Sequence, residues 1–117
     1  MKRKGGGFYH TLTFEVQFKH EEDEVYVAHC YPYTYSDVCE LLQNLCRNEA
    51  KDKIRKTVLC KTLAGNDCEM VIITNFLSRP EDIAMRRAVV LSSRVHPGES
   101  NASFMIQGTL EYLTSDE

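Results

Sequence analysis

The stretch that decides the predicted fold is AVVLSSRVHPGESNAS, residues 88–103. Its apolar start predicts a buried strand over about 88–95. The HPGE that follows forms a tight loop, and Ser100 or Asn101 is a good N-cap for a helix that ends near Leu113. A strand, a tight loop and a helix in this order are typical of an α/β sheet, which places its ligands at the carboxyl ends of its strands.

The first third of the chain predicts a β-hairpin. Apolar and polar residues alternate over 10–18, which is the pattern of a half-buried strand, and residues 25–31 predict the returning strand. The acidic connection from Glu21 to Glu24 could hold a cation, but a solvated turn is favoured because no calcium-loop spacing is present. Pro32 ends the second strand, since it has no N–H for a sheet ladder.

A helix is expected next, with Thr34 or Ser36 as its cap and an end near Glu49. Its apolar stripe at helical spacing consists of Val38, Leu41, Leu42 and Leu45. Residues 47–61 carry six basic and two acidic side chains. This local charge could bind an acidic partner, although a solvated helix end and loop is the favoured interpretation.

Two further strands are predicted over 56–63 and 68–75, joined by a turn at 64–67. Within the second strand, the continuous apolar run Met70 to Ile73 suggests cover on both faces. Residues 76–87 read as a polar connection interrupted by Pro80. Gly108 inside the last helix suggests close packing of another element. From Ser36 onward this order predicts a mixed sheet with helices on its faces, and the first hairpin belongs to a preceding β-rich unit.

Composition excludes several classes of protein. The chain has 117 residues, a formal net charge of −3 and no Trp, which fits a globular chain of one domain at most and disfavours a nucleic-acid binder. No apolar run could cross a membrane, and the start of the chain predicts no signal peptide. The five cysteines form no Cys-x-x-Cys pair, so the sequence indicates neither a zinc ribbon nor a thioredoxin-type redox motif. Because their number is odd and no signal peptide is predicted, we expect reduced thiols in the cytosol or nucleus. Cys39 and Cys46 read as small buried hydrophobes.

The candidate chemistry lies at His96 and Glu99, in the loop between the predicted strand and helix. Imidazole nitrogen and carboxylate oxygen both suit zinc, but a loop whose His and Glu bond only the backbone is also consistent with this spacing. A catalytic zinc normally takes three protein ligands. The other histidines are His10, His20 and His29. His29 could in principle approach the site, but a strand or surface histidine is the favoured interpretation, and we expect a missing downstream ligand rather than any of these three.

Four blocks of sequence carry a family resemblance. They are YPYTYS at 31–36, VLCKTLAGN at 58–66, RVHPGESNAS at 94–103 and GTLEYL at 108–113. In this order they resemble the zinc metallocarboxypeptidases, specifically the cytosolic carboxypeptidases, and the resemblance covers the chain from about Tyr9 to its end. It implies an α/β fold in which residues 1–35 finish an antiparallel β-sandwich domain and residues 36–117 begin the catalytic domain.

The resemblance also implies an activity, namely zinc-dependent removal of glutamates from the carboxyl termini or side chains of proteins such as tubulin. His96 and Glu99 would be two of three ligands of a Zn²⁺ ion. The family's third ligand, general base and substrate-carboxylate clamp come later, so we expect them beyond Glu117 and assign no catalytic residue here. The implied partners are polyglutamylated tails and microtubules, with no nucleic acid and no membrane, and the implied compartment is the cytosol, with the nucleus as a second one.

We therefore expect a fragment that is inactive alone, because two ligands are present where three are needed. The alternative is a non-enzymatic module that binds tubulin or another protein. We also expect the chain by itself to be marginally stable or prone to aggregation, because its hairpin and last helix need cover for their apolar faces.

Overall fold

An antiparallel hairpin is the one sheet found in the computed structural model, which describes residues 4–47 and 52–116. Strand β1 (Ile54–Lys61) pairs with β2 (Asp67–Ile73), and the register shifts between Val58 and Cys60. The predicted turn between the strands is confirmed. It is closed by a 2.8 Å hydrogen bond from the Thr62 N–H to the Asn66 carbonyl and contains Gly65 at φ +83°, a conformation that suits glycine.

Helix α1 (Tyr35–Arg47) begins where the sequence predicts, because Thr34 caps it. The Thr34 hydroxyl accepts the N–H of Asp37 at 3.2 Å, while the Asp37 carboxylate accepts the Thr34 N–H at 2.5 Å and its hydroxyl at 2.7 Å. These bonds form a reciprocal capping box with Asp in place of Glu. They also lower the pKa of Asp37, chiefly through the Thr34 backbone N–H. The predicted end near Glu49 lies outside the described residues.

Residues 76–87, between β2 and the loop 96–99, hold a short helix, α2 (Pro80–Ala84), where the sequence predicts a polar connection interrupted by Pro80. Pro80 favours this helix because proline at the first helical position loses no hydrogen bond and has a helical φ. The last helix, α3, spans Ser100–Thr114 and confirms the predicted end to within one residue. Its N-cap is Glu99, so Ser100 is the first helical residue rather than the cap.

Three predicted strands do not form in this structure. Residues 10–18, 25–31 and 88–95 have no regular secondary structure within the described parts of the chain, so neither the first hairpin nor the mixed sheet is present. The side chains of Val89 and Val90 are 83% and 90% exposed. Since a strand is stable only when a neighbour pairs its backbone and covers its apolar face, these segments lack what a strand requires.

The whole chain is correspondingly open. It exposes 10771 Å², whereas a compact protein of this mass exposes roughly 6,500 Å². Its radius of gyration is 20.5 Å, against about 13 Å for a compact domain of this length. Four hydrophobic side chains are buried among the described residues: Tyr33, Leu42, Ile54 and Leu110. The other apolar side chains of the described chain are partly or largely exposed.

Two local packing expectations also change. Strand β2 alternates partly buried and exposed residues, with Met70 39% and Ile72 48% exposed, so it is not covered on both faces. No atom lies within 4 Å of a Cβ built on Gly108, so no element of the described chain packs closely there. Within residues 4–47 and 52–116, none of the helices has the length and apolar character needed to cross a membrane.

Candidate metal centre

The predicted metal ligands come together in the loop before α3. His96 Nδ1 lies 3.0 Å from Glu99 Oε1, and the two side chains are 74% and 55% exposed. The loop is a β-turn, closed by a 3.1 Å hydrogen bond from the Glu99 N–H to the His96 carbonyl. Pro97 occupies the second position of this turn, where its fixed φ is favourable. The turn therefore places the imidazole and the carboxylate on the same side of the loop.

Arg94 braces this turn from the residues that precede it. Its guanidinium donates two hydrogen bonds to the Pro97 carbonyl, at 2.9 and 3.2 Å, and another to the Tyr33 carbonyl. Arg94 itself has φ +51°, a left-handed conformation that costs a non-glycine residue energy. The hydrogen bonds that the charged guanidinium donates offset this strain, because they are stronger than bonds between neutral groups. Arg94 thus links the loop 96–99 to the segment before α1.

Two neighbouring residues of the N-terminal segment also contact the loop. His29 Nε2 donates to the Gly98 carbonyl at 2.9 Å, and Cys30 Sγ lies 2.7 Å from Ser100 Oγ. His29 is exposed, as expected of a surface histidine, and it also approaches the loop through this contact, which joins residues 69 apart in sequence. No pattern in the sequence indicates it.

Tyr33 attaches the segment before α1 to α3. Its hydroxyl donates to Gln107 Oε1 at 2.8 Å, and its ring meets Phe104 edge to face at 4.9 Å between centroids. Burial, followed by the nearby charges of Asp37 and Glu111, raises the pKa of the Tyr33 hydroxyl, which stays protonated and able to donate. Neither Tyr33 nor Gln107 is predicted as a structural contact from the sequence.

The His96 and Glu99 donor set fits a zinc ion. Zinc binds imidazole nitrogen and carboxylate oxygen at about 2.0–2.2 Å in tetrahedral geometry, so two such ligand atoms lie about 3.3 Å apart. The observed 3.0 Å separation needs only a small opening, and both side chains are accessible to an ion. Within the described chain no third His, Cys, Asp or Glu joins them, so His10, His20 and His29 do not complete a three-ligand group.

Four described basic side chains of the segment 47–61 form intramolecular contacts. Lys53 pairs with Asp116, Lys56 with Glu69 at 3.0 Å and Lys61 with Asp67. The Arg55 guanidinium lies 4.0 Å from the centre of the Phe76 ring. Lys51 lies outside the described residues. Binding of an acidic partner by this segment stays a prediction.

Comparison with known proteins identifies relatives along nearly the whole chain. It is 47% identical over 118 residues to human cytosolic carboxypeptidase 1, an alignment that covers 95% of this chain and 10% of that protein. It is 46% identical over 119 residues to mouse cytosolic carboxypeptidase 4, covering 96% and 11%. With cytosolic carboxypeptidase 2 of Macaca fascicularis it shares 40% identity over 109 residues, covering 92% and 13%.

No protein-family model and no solved structure matches the chain. The chain spans about a tenth of the length of the curated relatives it matches. Because identity of 40–47% extends over almost all of its residues, the family resemblance seen in the sequence is confirmed. The chain is homologous, over nearly its entire length, to one segment of the cytosolic carboxypeptidases.

Proposed function

We propose that this chain supplies two zinc ligands to a metallocarboxypeptidase that removes glutamates from the carboxyl termini or side chains of proteins such as tubulin. The observation that carries the proposal is the convergence of His96 and Glu99, 3.0 Å apart, in a chain whose relatives are named carboxypeptidases. Those names support a peptidase that acts at the carboxyl end. The glutamate and tubulin specificity rests on the family resemblance, as does the choice of zinc.

In this proposal His96 and Glu99 hold the metal, and the residues around them hold the loop in shape. Zinc bound there would polarise the scissile carbonyl and activate a water molecule. Arg94 fixes the Pro97 carbonyl and His29 fixes the Gly98 carbonyl, so both central residues of the turn are tied down by side chains. Such supporting contacts keep ligands in place and so strengthen metal binding.

The remaining parts of the active site would come from sequence outside this chain. Two protein ligands are fewer than the three that a catalytic zinc normally takes. We therefore propose that a third ligand, a general base and a substrate-carboxylate clamp lie in a longer protein, and that the chain alone is inactive. We place this protein in the cytosol, which the names of the relatives support, with the nucleus as a second compartment.

Zinc titration of the purified chain tests the metal site. We expect weak binding that is lost in His96→Ala and reduced in Glu99→Gln, measured by competition with a chromogenic chelator. His10→Ala is the matched control, because this histidine is also exposed and joins no three-residue group of metal-ligating side chains in the described chain. An equal loss of binding in His10→Ala and His96→Ala would contradict the proposed ligands.

Activity is tested separately on a peptide that ends in several glutamates. We expect turnover by the full-length protein encoded by the reading frame that contains this chain, and loss of turnover in its His96→Ala variant. The 117-residue chain should release no glutamate. Hydrolysis by the chain alone that His96→Ala abolishes would overturn the claim of inactivity, and a full-length protein that binds microtubules but releases no glutamate would favour the non-enzymatic module.

A further inference from the structure

The hairpin brings together two cysteines that the metal site does not use. Cys60 on β1 and Cys68 on β2 are directly opposite each other in the register of the two strands. Cys60 is exposed and Cys68 is partly buried, and both are free thiols. Because directly opposed residues of an antiparallel pair point to the same face of the sheet, the two sulfur atoms lie side by side.

The register of this pair is held from both directions. Towards the turn, the next opposed residues, Lys61 and Asp67, form an ion pair, and the turn beyond them is closed by hydrogen bonds. Away from the turn, the register shifts between Val58 and Cys60. Hairpin register is set by the turn, so the chain cannot slide to separate the two cysteines without breaking these contacts.

We propose that Cys60 and Cys68 are a redox modification site, which closes reversibly to a cross-strand disulfide when it meets a small-molecule disulfide such as oxidised glutathione. Directly opposed residues have Cα atoms about 4.5–5.5 Å apart, inside the range of about 4.4–6.8 Å found for disulfides. Their Cβ atoms are about 4.5–5.5 Å apart, at or beyond the upper end of the disulfide range. The bond therefore forms under slight strain, and strained, accessible disulfides are the easily reduced ones.

The two thiols have different roles in the exchange. A hydrogen bond with the Cys60 thiol raises the pKa of Cys68, so Cys68 keeps its proton while the exposed Cys60 meets the oxidant first. The Cys60 thiolate attacks one sulfur of oxidised glutathione, forms a mixed disulfide and releases one glutathione thiolate. Cys68 then loses its proton and attacks the Cys60 sulfur, which releases the second glutathione as a thiol. Two protein thiols are oxidised and one glutathione disulfide is reduced to two thiols.

Linked-peptide mass spectrometry in glutathione buffers tests the proposal, with thiols blocked before digestion. Trypsin cuts after Lys61, between Cys60 and Cys68, and the protease Glu-C cuts after Glu40, between Cys39 and Cys46. After digestion with both, the Cys60–Cys68 disulfide joins peptides 57–61 and 62–69, and a Cys39–Cys46 disulfide joins peptides 25–40 and 41–47. Cys39 and Cys46 are the internal control. Cys39 and Cys46 are seven residues apart, and Cys60 and Cys68 are eight apart. In an unfolded chain the two pairs therefore close with nearly the same loss of entropy. In α1 their Cα atoms are about 10 Å apart, too far for a disulfide.

In native buffer we expect the Cys60–Cys68 link to exceed the Cys39–Cys46 link by about tenfold or more, and in denaturant the two links to become comparable. The Cys68→Ser variant should accumulate glutathione on Cys60, because the second step is blocked. Comparable linkage of the two pairs in native buffer would overturn the proposal. So would recovery of Cys60 and Cys68 as separately blocked thiols at every glutathione ratio. The outcome is independent of the proposed hydrolase activity.

Discussion

Replacement of Tyr33 by alanine should detach the segment before α1 from α3. Tyr33 is 6% exposed, whereas Tyr31, two residues earlier, is 85% exposed. A tyrosine buries about 150–250 Å² when enclosed, so Tyr33 buries roughly 160 Å² more than Tyr31. At about 25 cal/mol per Å² this difference corresponds to an upper estimate of about 4 kcal/mol, and the edge-to-face contact with Phe104 adds about 1 kcal/mol.

Urea unfolding followed by far-ultraviolet circular dichroism measures the effect. We expect Tyr33→Ala to remove most of the stability of the chain, because few of its described side chains are buried, and Tyr31→Ala to change the free energy of unfolding by less than about 1 kcal/mol. Tyr33→Phe keeps the buried ring and loses only the hydroxyl bond to Gln107, so it should cost about 1 kcal/mol.

The comparison between the two tyrosines makes the reasoning refutable. Both alanine variants remove the same side chain from the same short segment, so they differ only in what the ring contacts. Equal unfolding midpoints for Tyr31→Ala and Tyr33→Ala would show that burial of Tyr33 against α3 does not stabilise the chain. Hydrogen exchange of the α3 amides offers a second measurement, and it should accelerate in Tyr33→Ala alone.

Three further predictions concern the helices and the hairpin. The pKa of Asp37 is lowered from its ordinary value of 3.8. The capping box therefore stabilises α1 above that pH, and this stabilisation is lost as the pH falls below it. Asp37→Asn should remove this acid dependence from the helical circular dichroism signal. Gly108→Ala should stabilise α3 by about 1 kcal/mol, because no neighbouring atom opposes a methyl group, and an unchanged or lower unfolding midpoint would contradict this. Ile54 is 2% exposed and Ile72 is 48% exposed, so truncation to alanine should cost about 2–5 kcal/mol at Ile54 and clearly less at Ile72, measured by urea unfolding.

Much of the local structure is predictable from the sequence because its causes are local. Thr34 and Asp37 are three residues apart and cap α1 by themselves, and the turn between β1 and β2 follows from its glycine and asparagine. The His96–Glu99 pair belongs to the same group, since a single β-turn brings the two side chains together. Each of these features depends on residues that lie within a few positions of one another, so spacing alone reveals it.

The predicted strands fail for a different physical reason. Alternation over 10–18 and apolar residues over 88–95 show that these segments suit a sheet, but strand pairing requires another backbone at hydrogen-bond distance. The described chain offers none to them, so they form no strand and most of their residues are exposed. A sequence pattern describes the faces of a strand, whereas its partner is a property of the assembled fold.

The sequence by itself therefore determined the family, the capped helix, the hairpin turn and the two candidate metal ligands. Only the tertiary structure decided what supports those ligands. His29 reaches the Gly98 carbonyl across 69 residues, and Arg94 joins the loop to the Tyr33 carbonyl across 61. Such contacts leave no periodic signal, because each depends on where the whole backbone brings two distant side chains. The fold thus supplies the contacts that support the loop 96–99, whereas the local sequence supplies its two candidate ligands.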